Sequence, residues 1–297
     1  MNRSIDVLKE IYKPYRYTIK GSSTIIESTS GNFVIKPKTK DLKELFDYLN
    51  SRNFHNFPKL VDSSRSDTYV FEYLNDITMP QEQRIQDLIT LVAKLHNKTS
   101  FYKEVSEDKY KSIYEDIKNN ILYLKEYYNN LFDISYNDIY LSPSKYLFMR
   151  NYTKIKDCLL FCEAELDKWY DLVKDIRKQR VSVVHNNLAL RHFLRNEESY
   201  LISWDKALID TPILDIVNLY KNEYYHTTFE PILSKYFELV SLHEDEKTLL
   251  FIMLSLPWQV KETSSEFDNC KNYNELLDYI YKTEKLIRPY YSKKQEK

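Results

Sequence analysis

"VSVVHNNLALRHFLRNEESYLISWDKALIDTPILDI", residues 181–216, sets two short runs of β-branched and aromatic residues, "VSVVHNN" and "SYLISWD", on either side of a polar loop. On both sides of this insert the apolar residues recur every three to four positions. "QEQRIQDLITLVAKLHNKT", "KYKSIYEDIKNNILYLKEYYNNLF" and "KDCLLFCEAELDKWYDLVKDIRKQR" precede it, and further helices are expected from Ile213 onward, interrupted near Pro231 and Pro257. A strand–loop–strand insert carrying polar side chains inside a helical region is an economical way to present chemistry on a rigid frame.

Further toward the N-terminus the pattern changes. "YRYTIKGSSTIIESTSGNFVIK", residues 15–36, reads as two or three antiparallel strands broken at Gly21 and at Ser30, Gly31 and Asn32. "TKDLKELFDYLNSR" then puts Leu42, Leu45, Phe46 and Leu49 on one helical face. "FPKLVDSSRSDTYVFEYLND" supplies two more strands, split by a polar turn between Ser63 and Asp67. The expected organisation is a β-rich lobe with a hinge over residues 1–76 and a helical lobe over 77–297, an α+β arrangement without internal repeats. The charged end "YYSKKQEK" is expected to be a solvated tail.

Composition removes several function classes. The 297 residues carry 43% hydrophobic and 29% charged side chains with a net charge of −1, which suits a compact globular chain and supplies no basic field for nucleic acid. No run of about 18 apolar residues points to a membrane, and the first twenty residues lack the apolar core of an export signal, so a cytoplasmic location is expected. Three cysteines form no paired framework; Cys158 and Cys162, one helical turn apart, are expected to be core thiols rather than metal ligands. Only two glycines occur where average usage gives about twenty, so neither a Walker A loop nor a GxGxxG turn can be written. The 27 tyrosines, with abundant Lys, Asn and Ile, match A/T-rich codons and suggest a bacterial source.

The order of "FVIKP", "FPKLV", "YVFEYLND", "VAKLH", "VVHNNLALRHFL", "LISWDKALIDTPILDIVNLY" and "LSLPWQV" resembles the aminoglycoside phosphotransferase and choline kinase branch of the kinase-like fold, and within it the spore coat protein S-like group. The resemblance spans essentially the whole chain. It implies a protein-kinase-like two-lobe fold, with ATP and Mg2+ as the cofactors of an active member. It also implies a loop of the form HGDxxxxN followed by a metal strand reading IDF or IDW.

Set against those motifs, His185 matches the loop-bracing histidine. Asn186 stands where the glycine is expected, and Asn187 where the catalytic aspartate is expected. An amide oxygen accepts a hydrogen bond but takes no proton, and general base action contributes about 10²- to 10⁴-fold. His192 stands at the metal-binding amide and Ser203 at the metal-binding acid, with Asp205 two residues on as a possible substitute. Magnesium favours oxygen ligands and carboxylates, so imidazole and hydroxyl are poor replacements.

The resemblance further implies that Asp215 supports the loop, that Lys36 reaches nucleotide phosphates with Glu44 as its partner, and that the backbone of Glu72, Tyr73 and Leu74 forms the adenine hinge. Asp210 is expected to cap the following helix, with Pro212 early in it, and His96 to be a packed core histidine. The combined reading is a degenerate kinase-like protein, a non-catalytic binding, scaffold or coat component whose partners are a nucleotide or other proteins, not nucleic acid or membrane. The alternative is an ATP-dependent phosphotransferase acting on a small hydroxyl or amine.

Overall fold

A computed structural model describes residues 12–62 and 67–295. The turn expected between Ser63 and Asp67 falls almost wholly outside them. The chain is α+β, with an antiparallel sheet in its N-terminal region and a helical C-terminal part. It folds as two compact units, one of residues Met1–Ser100 with Ser182–Asp210, the other of Phe101–Val181 with Thr211–Lys297. This division cuts the chain elsewhere than at residue 76, because the loop segment groups with the N-terminal sheet.

In the first unit, β1 (Arg16–Lys20), β2 (Ser23–Ser28), β3 (Gly31–Pro37), β4 (Leu60–Asp62) and β5 (Thr68–Glu72) form one sheet in the order β1-β2-β3-β5-β4. Side chains alternate across a strand, so register decides which residues share a face. Ile25 pairs with Val34 and Val34 with Phe71, which puts these three in one row across the sheet. Two positions along, Lys36 faces the same way, as do Ser23 and its partner Lys20. The opposite face carries Ile26, Ile35 and Val70 as a small buried core, covered by Tyr12 and Phe33. Gly21, at φ +59°, makes the tight β1–β2 turn in a conformation that side chains disfavour.

Helix α1 (Lys43–Ser51) buries Phe46 and Leu49 and stacks Phe46 on Phe57, with ring centroids 4.5 Å apart. Helix α2 (Gln81–Thr99) carries His96, fully buried as expected. The Thr99 hydroxyl accepts a hydrogen bond from the Val183 amide at 3.1 Å. The two runs of the opening stretch do not pair with each other. Val184 and its neighbours end β7 (Lys178–Val184), which pairs here with β10 (Leu208–Asp210), whereas β9 (Ser199–Leu201) closes a hairpin with β8 (Phe193–Arg195).

The second unit begins with β6 (Phe101–Glu104), which pairs with the first half of β7. Long helices α3 (Asp108–Tyr136) and α4 (Pro143–Val173) follow, the latter with Pro143 in its first turn and Ser142 as N-cap. Tyr128, Phe148 and Trp169 fill the core between helices. Then come α5 (Ile213–Glu223), α6 (Glu230–Leu239), α7 (Glu244–Ser255) and α8 (Glu266–Gln295). As expected, the helical run is interrupted near both prolines: Pro231 stands in the first turn of α6, and Pro257 follows the end of α7.

Two expectations are corrected here. Asp210 ends β10 and is not the cap of α5; Pro212 holds that position and offers no side-chain cap. The supposed C-terminal tail is helical to Gln295, because the Tyr291 ring packs on Phe161 and Phe251 and its hydroxyl donates to Glu165 at 3.0 Å. Cys162 is a buried core thiol as expected, whereas Cys158 is only partly buried and donates to the Ser255 carbonyl at 3.0 Å. Among the described residues no helix is long and apolar enough to cross a membrane.

Candidate nucleotide cleft

The row Ile25, Val34 and Phe71 roofs a cleft of about 500 Å³ inside the first unit. Glu72, Tyr73 and Leu74 form one edge, and Leu194, Ile202 and Trp204 form the floor. Lys36 projects from β3 into its inner end, where Ser203, Asp205 and His192 converge with it. This size and apolar lining, with a few polar groups at one end, suit a small ligand with one flat and one charged part.

The inner end is defined by one contact. The Lys36 ammonium donates to the Ser203 hydroxyl at 2.9 Å. Burial lowers the Lys36 pKa below the usual lysine range, and the Asp205 charge opposes that shift only in part. The expected pair with Glu44 does not form: Glu44 lies in the exposed first turn of α1, whose inward face is taken by Phe46 and Leu49. Asp205 is the acid that Lys36 senses, and it also accepts from Thr39 at 3.5 Å.

Ser203 adopts φ +68°, a left-handed conformation rare for a residue bearing a side chain. It therefore ends the extended run, and Trp204–Lys206 forms a short 3-10 turn instead of a strand. Strand alternation therefore does not govern residues 203–205, and it is the turn that brings both Ser203 and Asp205 to the cleft. Trp204 anchors this turn. Its indole donates to the Leu201 carbonyl at 2.8 Å, and its ring meets Phe46, Phe54 and Phe57 edge-on, each at 6.3 Å.

The loop ahead of β8 is held by its two histidines. Buried His185 donates through Nε2 to the Ile202 carbonyl at 2.9 Å, and its ring packs on Trp204 at 4.9 Å. His192 donates through Nδ1 to the Asn187 carbonyl at 2.6 Å, which leaves the lone pair on its Nε2. Burial lowers the His192 pKa, against that hydrogen bond, so the ring is neutral near pH 7. Asn186 takes φ +53°, and asparagine is among the few residues that tolerate the left-handed region where a glycine was expected.

The cleft gathers Lys36, Glu72, Tyr73, Leu74, His192, Ser203 and Asp205, and leaves out Glu44, His185 and Asn187. Asp215 is fully buried in α5 and belongs to the other unit. Lys20 and Arg191 also line the cleft and were not singled out from sequence. Lys20 was legible in principle, since strand register pairs it with Ser23 on the face of Lys36; Arg191 sits in an irregular loop that no periodicity describes.

The donor set fits a nucleotide better than a metal. Among the described residues no three His, Cys, Asp or Glu side chains cluster as a metal site would need. At the inner end one carboxylate, one imidazole and a hydroxyl already engaged by Lys36 are a poor match for a hard cation. At the hinge, the Glu72 amide donates to the Lys59 carbonyl at 3.0 Å and the Tyr73 amide to Asn32 at 3.2 Å. Among the described residues, the Leu74 amide has no such backbone partner.

The fold places the chain in a class. It superposes on an aminoglycoside phosphotransferase from Alicyclobacillus acidocaldarius with a TM-score of 0.70 at 9% identity, covering 96% of this chain and 93% of that one. It superposes on the AMP-bound spectinomycin phosphotransferase APH(9)-Ia with a TM-score of 0.58 at 13% identity, covering 95% and 97% of the two chains. The chain therefore has the kinase-like fold of small-molecule phosphotransferases. No family model matches the chain, and no curated protein matches it in sequence.

Proposed function

We propose that this protein is a nucleotide-binding member of the kinase-like fold that no longer transfers phosphate and works as a binding or scaffold component. The observation that carries this is the Lys36–Ser203 hydrogen bond: a neutral hydroxyl, engaged by the phosphate-facing lysine, stands where a metal-binding acid is expected. Phosphoryl transfer depends on positioning and on neutralising charge with metal and cations, so losing that acid removes a leading contribution. Asn187 in place of the general base points the same way. Nucleotide binding itself is supported by the apolar roof, the Leu74 amide at the hinge and the Lys36 charge, and by the likeness to a fold seen with AMP bound.

In this reading the adenine lies between the Ile25–Val34–Phe71 row and the Leu194–Ile202 floor, with its phosphates toward Lys36. His185 braces the loop, and His192 and Ser203 hold positions that served a metal. A spore coat-like role adds only protein partners to this picture, and a cytoplasmic location suits both. A second reading, an active small-molecule phosphotransferase, is favoured by one observation: Asp205 lines the same cleft beside Lys36.

The two readings separate in a single pair of measurements. ATP should raise the melting temperature, by the equivalent of about 2.7 kcal/mol at 100 times its dissociation constant. Incubation with ATP, Mg2+ and a panel of small hydroxyls and amines should yield no phosphorylated product. Product that disappears in Asp205→Ala would establish the second reading.

A further inference from the structure

The charges lining the cleft separate into those already matched and those left over. Of its acids, Asp76 is held by Arg84 at 2.8 Å and by the Arg195 amide at 2.9 Å. Glu72 accepts from the Lys59 amide at 2.9 Å. Glu72 and Asp205 are the lining acids with no ion pair among the described residues. Among the cations, exposed Lys20 and Arg191 have no acid partner among the described residues, and half-buried Lys36 hydrogen-bonds the neutral Ser203 hydroxyl and feels the Asp205 charge without an ion pair. Three cations thus face two carboxylates that no cation holds, Asp205 and Glu72, and the cleft keeps an excess of positive charge.

A half-buried ammonium without a direct ion pair is an unfavourable arrangement that an incoming anion relieves. A metal-dependent nucleotide site has the opposite balance: it gathers carboxylates that hold divalent cations, and the cations meet the phosphates. Resting on the nucleotide-binding reading above, we infer that the cleft takes the metal-free nucleotide di- or triphosphate, with Lys36, Lys20 and Arg191 supplying the positive charge that magnesium supplies in an active enzyme. Lys36 meets the inner phosphate, and the two exposed cations flank the outer ones at the mouth. Magnesium then competes with the protein for the phosphates instead of assisting.

The test is calorimetry of the full chain with ATP, ADP and adenosine, each with EDTA and with excess Mg2+. ATP should bind at least as tightly in EDTA, and excess Mg2+ should weaken it about threefold to tenfold, because the chelated nucleotide carries less charge. Adenosine should be indifferent to both additions. Ser203→Asp, an acid that tolerates the left-handed backbone there, should reverse the order. It should lose about tenfold or more of its ATP affinity in EDTA and regain it with Mg2+, while unchanged adenosine binding shows that the cleft is still folded. Lys20→Ala and Arg191→Ala should each weaken ATP about threefold and leave adenosine alone. Wild-type binding of ATP only in the presence of Mg2+ would overturn this inference and leave the nucleotide-binding reading intact. No binding of ATP, ADP or adenosine in either condition would overturn that reading itself.

Discussion

The two walls of the cleft are built from different material. The hinge wall, from β5 through Leu74, acts through backbone groups and an apolar row, so its residues can change while its geometry persists. The opposite wall, from Arg191 to Asp205, acts through particular side chains, with His192 and Ser203 at two positions where the resemblance implies metal ligands, and the supports behind it remain. His185 still holds the Ile202 carbonyl and Trp204 still plugs into three phenylalanines. On the function proposed above, such a wall would serve to shape one side of a binding cleft.

The comparison breaks most readily at Trp204. Truncating this fully buried ring in Trp204→Ala should destabilise the protein by about 3–5 kcal/mol in a denaturant titration. A loss below about 1 kcal/mol would mean that the loop wall carries no structural duty. Next in size is Lys36→Ala, which removes the charge at the inner end. ATP affinity should fall about tenfold to a hundredfold, with adenosine unaffected.

The pH dependence should follow the same group. An anion favours the charged lysine, so affinity is full below the burial-lowered Lys36 pKa and is lost as pH rises through it. Lys36→Ala should flatten that profile. Smaller again is the loop backbone: Asn186→Ala should cost about 1 kcal/mol at its positive φ, whereas Asn186→Gly should not destabilise. Least affected is Asn187→Ala. This residue lies outside the cleft, so ATP affinity should change less than about twofold.

Much of this was legible in the sequence, for reasons that differ by region. The sheet strands and the long helices follow from periodicity, because one face of each is buried. Pairing within the 181–216 stretch was not legible: β8, β9 and β10 have only three residues each, and β7 takes its partner β10 from more than twenty residues away, which a local pattern cannot name. Lys36 and residues 72–74 were named from their order along the chain and do line one cleft, whereas Glu44, named as the partner of Lys36, is exposed on α1. Its place on α1 depends on which face Phe46 and Leu49 bury, and that was visible in the apolar spacing. The left-handed Ser203 had no sequence signal, since serine rarely takes that backbone and no glycine announces it.

The burial of Lys36 also bears on its reactivity. An ammonium whose proton is held less tightly exposes a free amine at milder pH, so Lys36 should be acylated ahead of the solvated lysines on the surface. Lys221, lowered by burial in the same way but in the helical unit, provides a built-in reference. A nucleotide in the cleft would shield the first amine and not the second, and the ratio of the two modified peptides would report occupancy without any assay of turnover.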